Sequence, residues 1–314
     1  MAKVTNTYVT TEAKGLREDL SDKIHQISPE KVPFTSHIKK GKSKAVLHEW
    51  QQDALAAPDL ANKQPEGNEA AFVAAVPTVR IGNYHQISDK TAIVSGTLEA
   101  VDKAGRKSEM ALQLAKKAPE LKRDIESILL SNQAADSSDP RAVGSLLAFI
   151  KTNVDKHATG TNPSYTNIPT STRGDGTQRA FTEAMLKNVQ SLCWTEGGDP
   201  TVVMAGAVNK AAISAFAGNA SHVVNLNEAK PGVIIAAMDV YVGDLGTVKV
   251  IPNRWQRTRD VFVLDWSRIS LNYLRGYHTE KLAKTGDAEK RALRCEYTLE
   301  VSAEKSIGLI ADLS

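Results

Sequence analysis

Apolar side chains recur along this chain at two spacings, and one long stretch has almost none. Leu16, Leu20, Ile24 and Ile27 fall at helical spacing between Glu12 and Ile27, with Arg17, Glu18, Asp22 and Lys23 on the other side and Ser28-Pro29 as the stop. The longest such stripe lies between Ser108 and Gln133, where Met110, Leu114, Ala118, Leu121, Ile125 and Ile128 recur at steps of three and four. The opposite face carries Lys116, Lys117, Glu120, Lys122, Arg123 and Glu126. This pattern predicts a long spine with one buried face, kinked or split at Pro119, and an i,i+4 pair between Lys122 and Glu126. Shorter helices are predicted over Thr182 to Cys193, with Phe181, Met185, Val189 and Leu192 on one face, and over Val208 to Phe216, with Val208, Ala212, Ile213 and Phe216 inward.

Period-two alternation marks the strands. Thr78 to Thr97 reads as extended chain with a turn at Gly82-Asn83. Pro200 to Met204 and Val261 to Leu264 are short apolar strands, and Val233 to Ile251 reads as strands around a Gly243-Asp244-Leu245-Gly246 turn. The cleanest alternation runs from Arg291 to Val301, across a Gly286-Asp287 turn from Glu280 to Thr285. There Leu293, Cys295, Tyr297, Leu299 and Val301 face one way and Arg294, Glu296, Thr298 and Glu300 the other, which predicts a sheet with one buried face. Asn153 to Gly176, rich in Thr, Asn, Ser, Pro and Gly, is expected to be a long surface loop.

The exception is His48 to Phe72. It is polar and Ala-rich, is broken by Pro58, Pro65 and Gly67, and holds too few large apolar side chains to pack a core of its own. Yet it lies between segments that do show structural periodicity. A long excursion that cannot bury itself needs another surface to lie on, and a neighbouring subunit is the ready candidate.

Composition excludes several classes. The 314 residues can bury a sizeable core, the hydrophobic fraction is 41%, and the net charge of +3 is too small for a dedicated nucleic-acid binder. No apolar run reaches the length of a membrane span, and the first residues, MAKVTNTYVTTEAKG, hold no secretory signal. Cys193 and Cys295, with no metal spacing, read as buried thiols in a reducing cytosol.

Catalytic and ligand motifs fail on inspection. Gly41-Lys42-Ser43 imitates the end of a phosphate loop, but Ser36 stands where that motif needs its first Gly. His48-Glu49 begins like a zinc-protease helix, but Gln52 replaces the second His. No metal or cofactor is implied, and the expectation is a protein without catalysis. Arg173-Gly174-Asp175 looks like an adhesion tripeptide and is read as chance in a polar loop. Lys39, Lys40, Lys42 and Lys44 could touch phosphates, but a solvated flank is the plainer reading. Glu120, Arg123, Asp124 and Glu126, with no His or metal motif beside them, read as a solvated or intersubunit ion-pair face.

One ordered series of short motifs resembles a known family. It comprises Gly15-Leu16-Arg17-Glu18-Asp19-Leu20, Val32-Pro33-Phe34, His48-Glu49-Trp50-Gln51-Gln52-Asp53, Glu66-Gly67, Asn83-Tyr84-His85-Gln86-Ile87 and Val94-Ser95-Gly96-Thr97. It continues through Glu120-Leu121-Lys122-Arg123-Asp124-Ile125-Glu126, Leu282 to Lys290 and Glu296-Tyr297-Thr298-Leu299. From about Gly15 to Leu309 the chain resembles major capsid proteins of tailed bacteriophages with the Hong Kong 97-type fold.

The resemblance implies an α+β fold divided into an N-terminal arm (1–38), an extended loop (39–76), a peripheral domain with a spine helix (77–138), an axial domain (139–253) and a return to the peripheral sheet (254–314). It implies a virion subunit, assembled in the host cytoplasm as pentamers and hexamers around double-stranded DNA that it contacts weakly. Portal and scaffolding proteins are expected partners, a cement protein is a further candidate, and no membrane is involved. His48, Glu49, Trp50 and Asp53 would be intersubunit contacts, with Glu66 and Gly67 shaping the loop's return. Trp50 is the candidate anchor, with packing inside its own chain as the alternative. The competing classes are an α/β enzyme with an unrecognised site and a decoration or adhesion module using the Asn153 to Gly176 loop.

Overall fold

The computed structural model describes residues 28–69, 72–103, 105–216 and 240–314. The helix expected over Glu12 to Ile27, and the expected strand residues from Val233 to Asp239, lie outside them. The first half contains α1 (Pro33–His37), β1 (Lys39–Lys42), β2 (Leu47–Gln52), β3 (Val79–Tyr84), β4 (Gln86–Ser95), α2 (Gly96–Ala100) and α3 (Glu109–Leu129). It is followed by α4 (Leu146–Phe149), β5 (Val154–Asp155), α5 (Glu183–Thr195), β6 (Val202–Ala205) and α6 (Ala207–Ser214). The chain ends with β7 (Val240–Gly243), β8 (Gly246–Pro252), β9 (Val261–Leu264), β10 (Ile269–Lys281), β11 (Ala288–Val301) and β12 (Gly308–Ile310).

The predicted spine is α3. Ser108 caps it, its hydroxyl accepting from the Ala111 N–H at 3.1 Å. The helix runs unbroken through Pro119, contrary to the expected kink or split. A proline removes one ladder bond, and Leu121, Ile125 and Leu129, all buried in the main core, hold the following turns in place.

Among the described residues two large sheets stand beside the two-stranded β2–β3 pair. In the four-stranded sheet, ordered β1-β10-β11-β4, the long strands β10 and β11 pair antiparallel from Ile269↔Val301 to Lys281↔Arg291. The alternation in β11 holds: Leu293, Cys295, Tyr297, Leu299 and Val301 are all in the core beneath α3. Its other face is less open than alternation implied. Glu296 and Thr298 are buried too: the Thr298 hydroxyl donates to the Tyr84 carbonyl of β3 at 3.0 Å, and Glu296 pairs with Arg141 and Arg275, each at 2.8 Å. β3 also runs straight through Gly82-Asn83, where a turn was expected. Asn83 is fully buried, its amide donating to the Gly144 and Leu299 carbonyls at 3.0 and 2.8 Å. Gly82 sits so close to the backbone and side chains of β2 that a Cβ would collide with them.

The six-stranded sheet runs β5-β12-β9-β6-β8-β7. One of its faces packs Val203, Val248, Val250 and Val261 against Leu186, Val189 and Cys193 of α5 and Ile213 of α6. The residues from 254 onward therefore divide between the sheets. β10 and β11 join the four-stranded sheet as expected of this region, but β9 and β12 pair beside β6 in the other. On α6 the inward side is carried by Asn209 and Ile213, whereas Val208, expected inward, is 63% exposed. On α5, Leu186, Val189, Gln190 and Cys193 form the buried side, so the expected face is rotated and Leu192 lies at its rim. Both cysteines are buried and free.

The Asn153 to Gly176 region is irregular but fastened to the body. Arg173 is buried and pairs with buried Asp312 at 3.0 Å, so the adhesion-like tripeptide has its cation inside the fold.

Candidate assembly interface

The excursion leaves the body through a two-stranded hairpin. β2 and β3 pair antiparallel from Leu47↔Tyr84 to Gln52↔Val79. Period two then sends His48, Trp50 and Gln52 towards the body and Glu49 and Gln51 away from it. His48 Nε2 lies 3.0 Å from Glu300 Oε2, and the Gln52 amide donates to the Ser302 carbonyl at 2.8 Å. The Trp50 ring stands 5.9 Å from Phe149 and packs on the main core. The hydrogen bond with His48 holds the Glu300 carboxyl below the usual carboxylate range. His85, just behind, is buried, and desolvation lowers its pKa.

His48 and Trp50 fasten the base of the hairpin to their own chain, because their register positions them on the inward side. Glu49 faces out and pairs with exposed Arg80 at 2.9 Å. Asp53 is the first exposed residue beyond the ladder, and accepts from the Ala54 N–H. Glu66 and Gly67 lie at the far turn, where the Asn68 N–H bonds the Pro65 carbonyl at 3.2 Å and Gly67 takes the left-handed conformation (φ 80°) that suits glycine.

Between the ladder and that turn the strap has no helix or strand among the described residues. Its large apolar side chains project into solvent: Leu55, Leu60, Phe72, Val73 and Val76 are 84% to 101% exposed. The hydrogen bonds of residues 53–69 are local to the strap. None of these five stood among the expected contact residues. Their signal in the sequence is their isolation, as the few large apolar residues in a segment too polar to fold alone.

The four charged residues expected as an ion-pair face on α3 have different fates. Glu120 pairs with Lys117 at 2.9 Å and Asp124 with Lys90 at 2.5 Å, each keeping an exposed edge. The Arg123 guanidinium lies over the Trp255 ring at 5.4 Å. Glu126 corrects the expectation outright. It is fully buried and accepts hydrogen bonds from the Phe34 and Thr35 N–H groups and the Asn253 amide, so it neither pairs with Lys122 nor reaches solvent. The partners Asn253 and Trp255 left no sign in the sequence.

Among the described residues no cluster of His, Cys, Asp or Glu could hold a metal ion, and no helix is long and apolar enough to cross a membrane.

The model of the family described as SU10 major capsid protein matches residues 3–314. The major capsid protein of Escherichia phage Phieco32 is 29% identical, the alignment covering 93% of each chain. Among solved structures, the capsid asymmetric unit of cyanophage A-1(L) superposes with a TM-score of 0.69 at 13% identity, covering 99% of each chain. The capsid of a native GTA particle computed with C5 symmetry superposes with a TM-score of 0.64 at 11% identity, covering 99% of this chain and all of the other.

Proposed function

The chain belongs to the SU10 major capsid protein family, and from that premise we propose how it builds a shell. It is a structural subunit of a phage capsid, with the α+β Hong Kong 97-type fold. The strap from Asp53 to Thr78 is laid over a neighbouring copy, where Leu55, Leu60, Phe72, Val73 and Val76 find the burial their own body does not provide. The observation that carries this reading is the exposure of all five on a segment whose base alone is fastened. Glu49, Asp53, Glu66 and Gly67 serve as outward contacts. Glu120 and Asp124 offer their exposed edges to adjacent subunits.

The four-stranded sheet with α3 is assigned to the peripheral domain and the six-stranded sheet to the axial domain. The axial domain then takes β9 and β12 in addition to residues 139–253. Subunits group as pentamers and hexamers, each held by many modest contacts made at once. The role is mechanical, without catalysis. Assembly takes place in the host cytoplasm with scaffolding and portal proteins, a cement protein is a further candidate, and packaged double-stranded DNA is touched weakly.

Negative-stain microscopy of the overexpressed protein tests the reading. Closed shells, tubes or capsomer rings are expected. A monodisperse monomer at high concentration, even with scaffold co-expressed, would overturn it.

A further inference from the structure

The turn that leads from β8 into β9 carries a carboxylate with no donor of its own. Asp260 is fully buried, and among the described residues neither of its carboxylate oxygens accepts a hydrogen bond. Its backbone is pinned: the N–H donates to the Arg257 carbonyl at 3.3 Å, and the carbonyl accepts from the Gln256 side-chain amide at 2.9 Å. The next four residues form the buried strand β9, which keeps the carboxylate inside the fold.

The nearest cation is Arg257, whose Nη1 lies 3.4 Å from Asp260 Oδ2. That guanidinium is already engaged, because its Nη2 donates to Asp175 on the Asn153 to Gly176 loop. Arg259 reaches the same Asp175 carboxylate at 3.3 Å and donates to the Gly176 carbonyl at 2.6 Å. From the other side Asp312, just past β12, pairs with Arg173 at 3.0 Å and accepts from the Gly176 and His157 N–H groups at 2.7 and 3.1 Å. The loop is clamped between these groups. The charges facing Asp260 are Arg257 and Arg259 from its own turn and Arg173 and Asp175 from the loop, with Asp312 beyond them. The ring of His157, the loop's histidine, bonds instead to the Thr159 hydroxyl at 2.8 Å.

Asp260 and Asp175 therefore compete for one guanidinium. An ionised Asp260, buried without a hydrogen bond, is costly; it pulls Arg257 away from the loop and favours any opening that lets water in. A proton on Asp260 removes that cost and leaves Arg257 to Asp175. Burial pushes the Asp260 carboxyl up to about 6. Burial acts the same way on Asp175, but the bond and charge of Arg257 and the charge of Arg259 outweigh it and hold that carboxyl below the usual range, so it stays ionised. The shut clamp binds the Asp260 proton more tightly than the open one. It gains stability as pH falls through about 6 and loses it as pH rises.

We propose that Asp260 is a proton-operated latch for the Asn153 to Gly176 loop: protonated, it leaves Arg257 to hold Asp175 and the loop stays shut; ionised, it competes for Arg257 and the loop loosens. The latch goes beyond the capsid reading and does not rest on it.

Hydrogen exchange of the full-length protein, followed by mass spectrometry at pH 7 and pH 5 and expressed as protection factors, reads the latch in residues 157–177. The end of the β10–β11 hairpin, residues 278–292 in the other sheet, serves as the reference. Wild-type protection in the loop should rise by up to about tenfold from pH 7 to pH 5, the ratio set by a carboxyl that titrates near 6 when shut and in its ordinary range when open. D260N, neutral at both pH values, should hold the loop at pH 7 as tightly as the wild type does at pH 5, and should lose most of the rise. Any contribution from His157 is common to the two proteins and cancels between them. D175N removes the loop's hold on Arg257 and should lower protection at both pH values with little rise between them; it decides the matter if D260N does not fold. An equal rise in D260N, or a rise of wild-type size in D175N, would overturn the proposal. So would wild-type loop protection that ignores pH while global unfolding still shifts with it, which is what a merely structural carboxyl would give.

Discussion

Removal of the strap separates assembly from folding. Gln52 and Val79 are direct partners at the end of the β2–β3 ladder, so an Asn-Gly type I′ turn can replace residues 53–78 without moving either strand. The deleted stretch contributes little burial to its own subunit, with Leu55, Leu60 and Phe72 all at least 97% exposed. Shortening the connection from about 26 residues to two lowers the entropy cost of closing the hairpin by about 2 kcal/mol. The isolated subunit should therefore be as stable as the wild type or more stable, by up to about that amount in urea denaturation. Assembly should suffer in the opposite sense. Fully burying a Leu, Val or Phe side chain contributes about 1.5–3 kcal/mol, so five of them represent roughly 8–15 kcal/mol of gross contact per strap before ordering costs. Sedimentation and microscopy should find folded subunits or small capsomers and no closed shells. Shells at wild-type concentration would refute the strap as a fastening. A loss of more than about 2 kcal/mol in the subunit would show that the strap packs on its own body.

Three further outcomes follow from particular side chains. Phe72→Ser should leave subunit unfolding unchanged, since the ring is 97% exposed, and should raise the protein concentration at which light scattering first detects particles. Trp50→Ala should destabilise the isolated subunit by about 2–3 kcal/mol in denaturant titrations, because the ring packs on Phe149 and the core. Asp260 is fully buried, and burial pushes its carboxyl up to about 6, with Arg257 at 3.4 Å as the nearest cation. A raised folded-state pKa means that the folded chain binds this proton more tightly than the unfolded one. The protonated form is then the stabilising one, and its contribution is lost as pH rises through about 6. Between pH 7 and pH 5 the unfolding free energy of the wild type should gain about 1 kcal/mol relative to D260N. A pH-independent difference in denaturation would contradict it.

The sequence by itself determined which stretches bury an apolar face and which stretch cannot. The stripe from Met110 to Ile128 became α3, and the alternation from Leu293 to Val301 became the buried face of β11. The scarcity of large apolar residues after Asp53 became an exposed strap. These features are local: periodicity encodes the apolar side of an element within a few turns. Tertiary structure decided what came to lie on each side. Glu126 stands on the polar edge of the stripe and is buried because residues 33–35 and Asn253, about a hundred residues away on either side, close over it. Trp50 faces its own core because the hairpin's register and the position of Phe149 turn it inward. Val208 faces solvent because Asn209, bonded to the Thr258 carbonyl, takes the inward place on α6. β9 and β12 join the six-stranded sheet through partners that no local pattern names. Each of these depends on contacts between segments distant along the chain, and such contacts leave no period in the sequence.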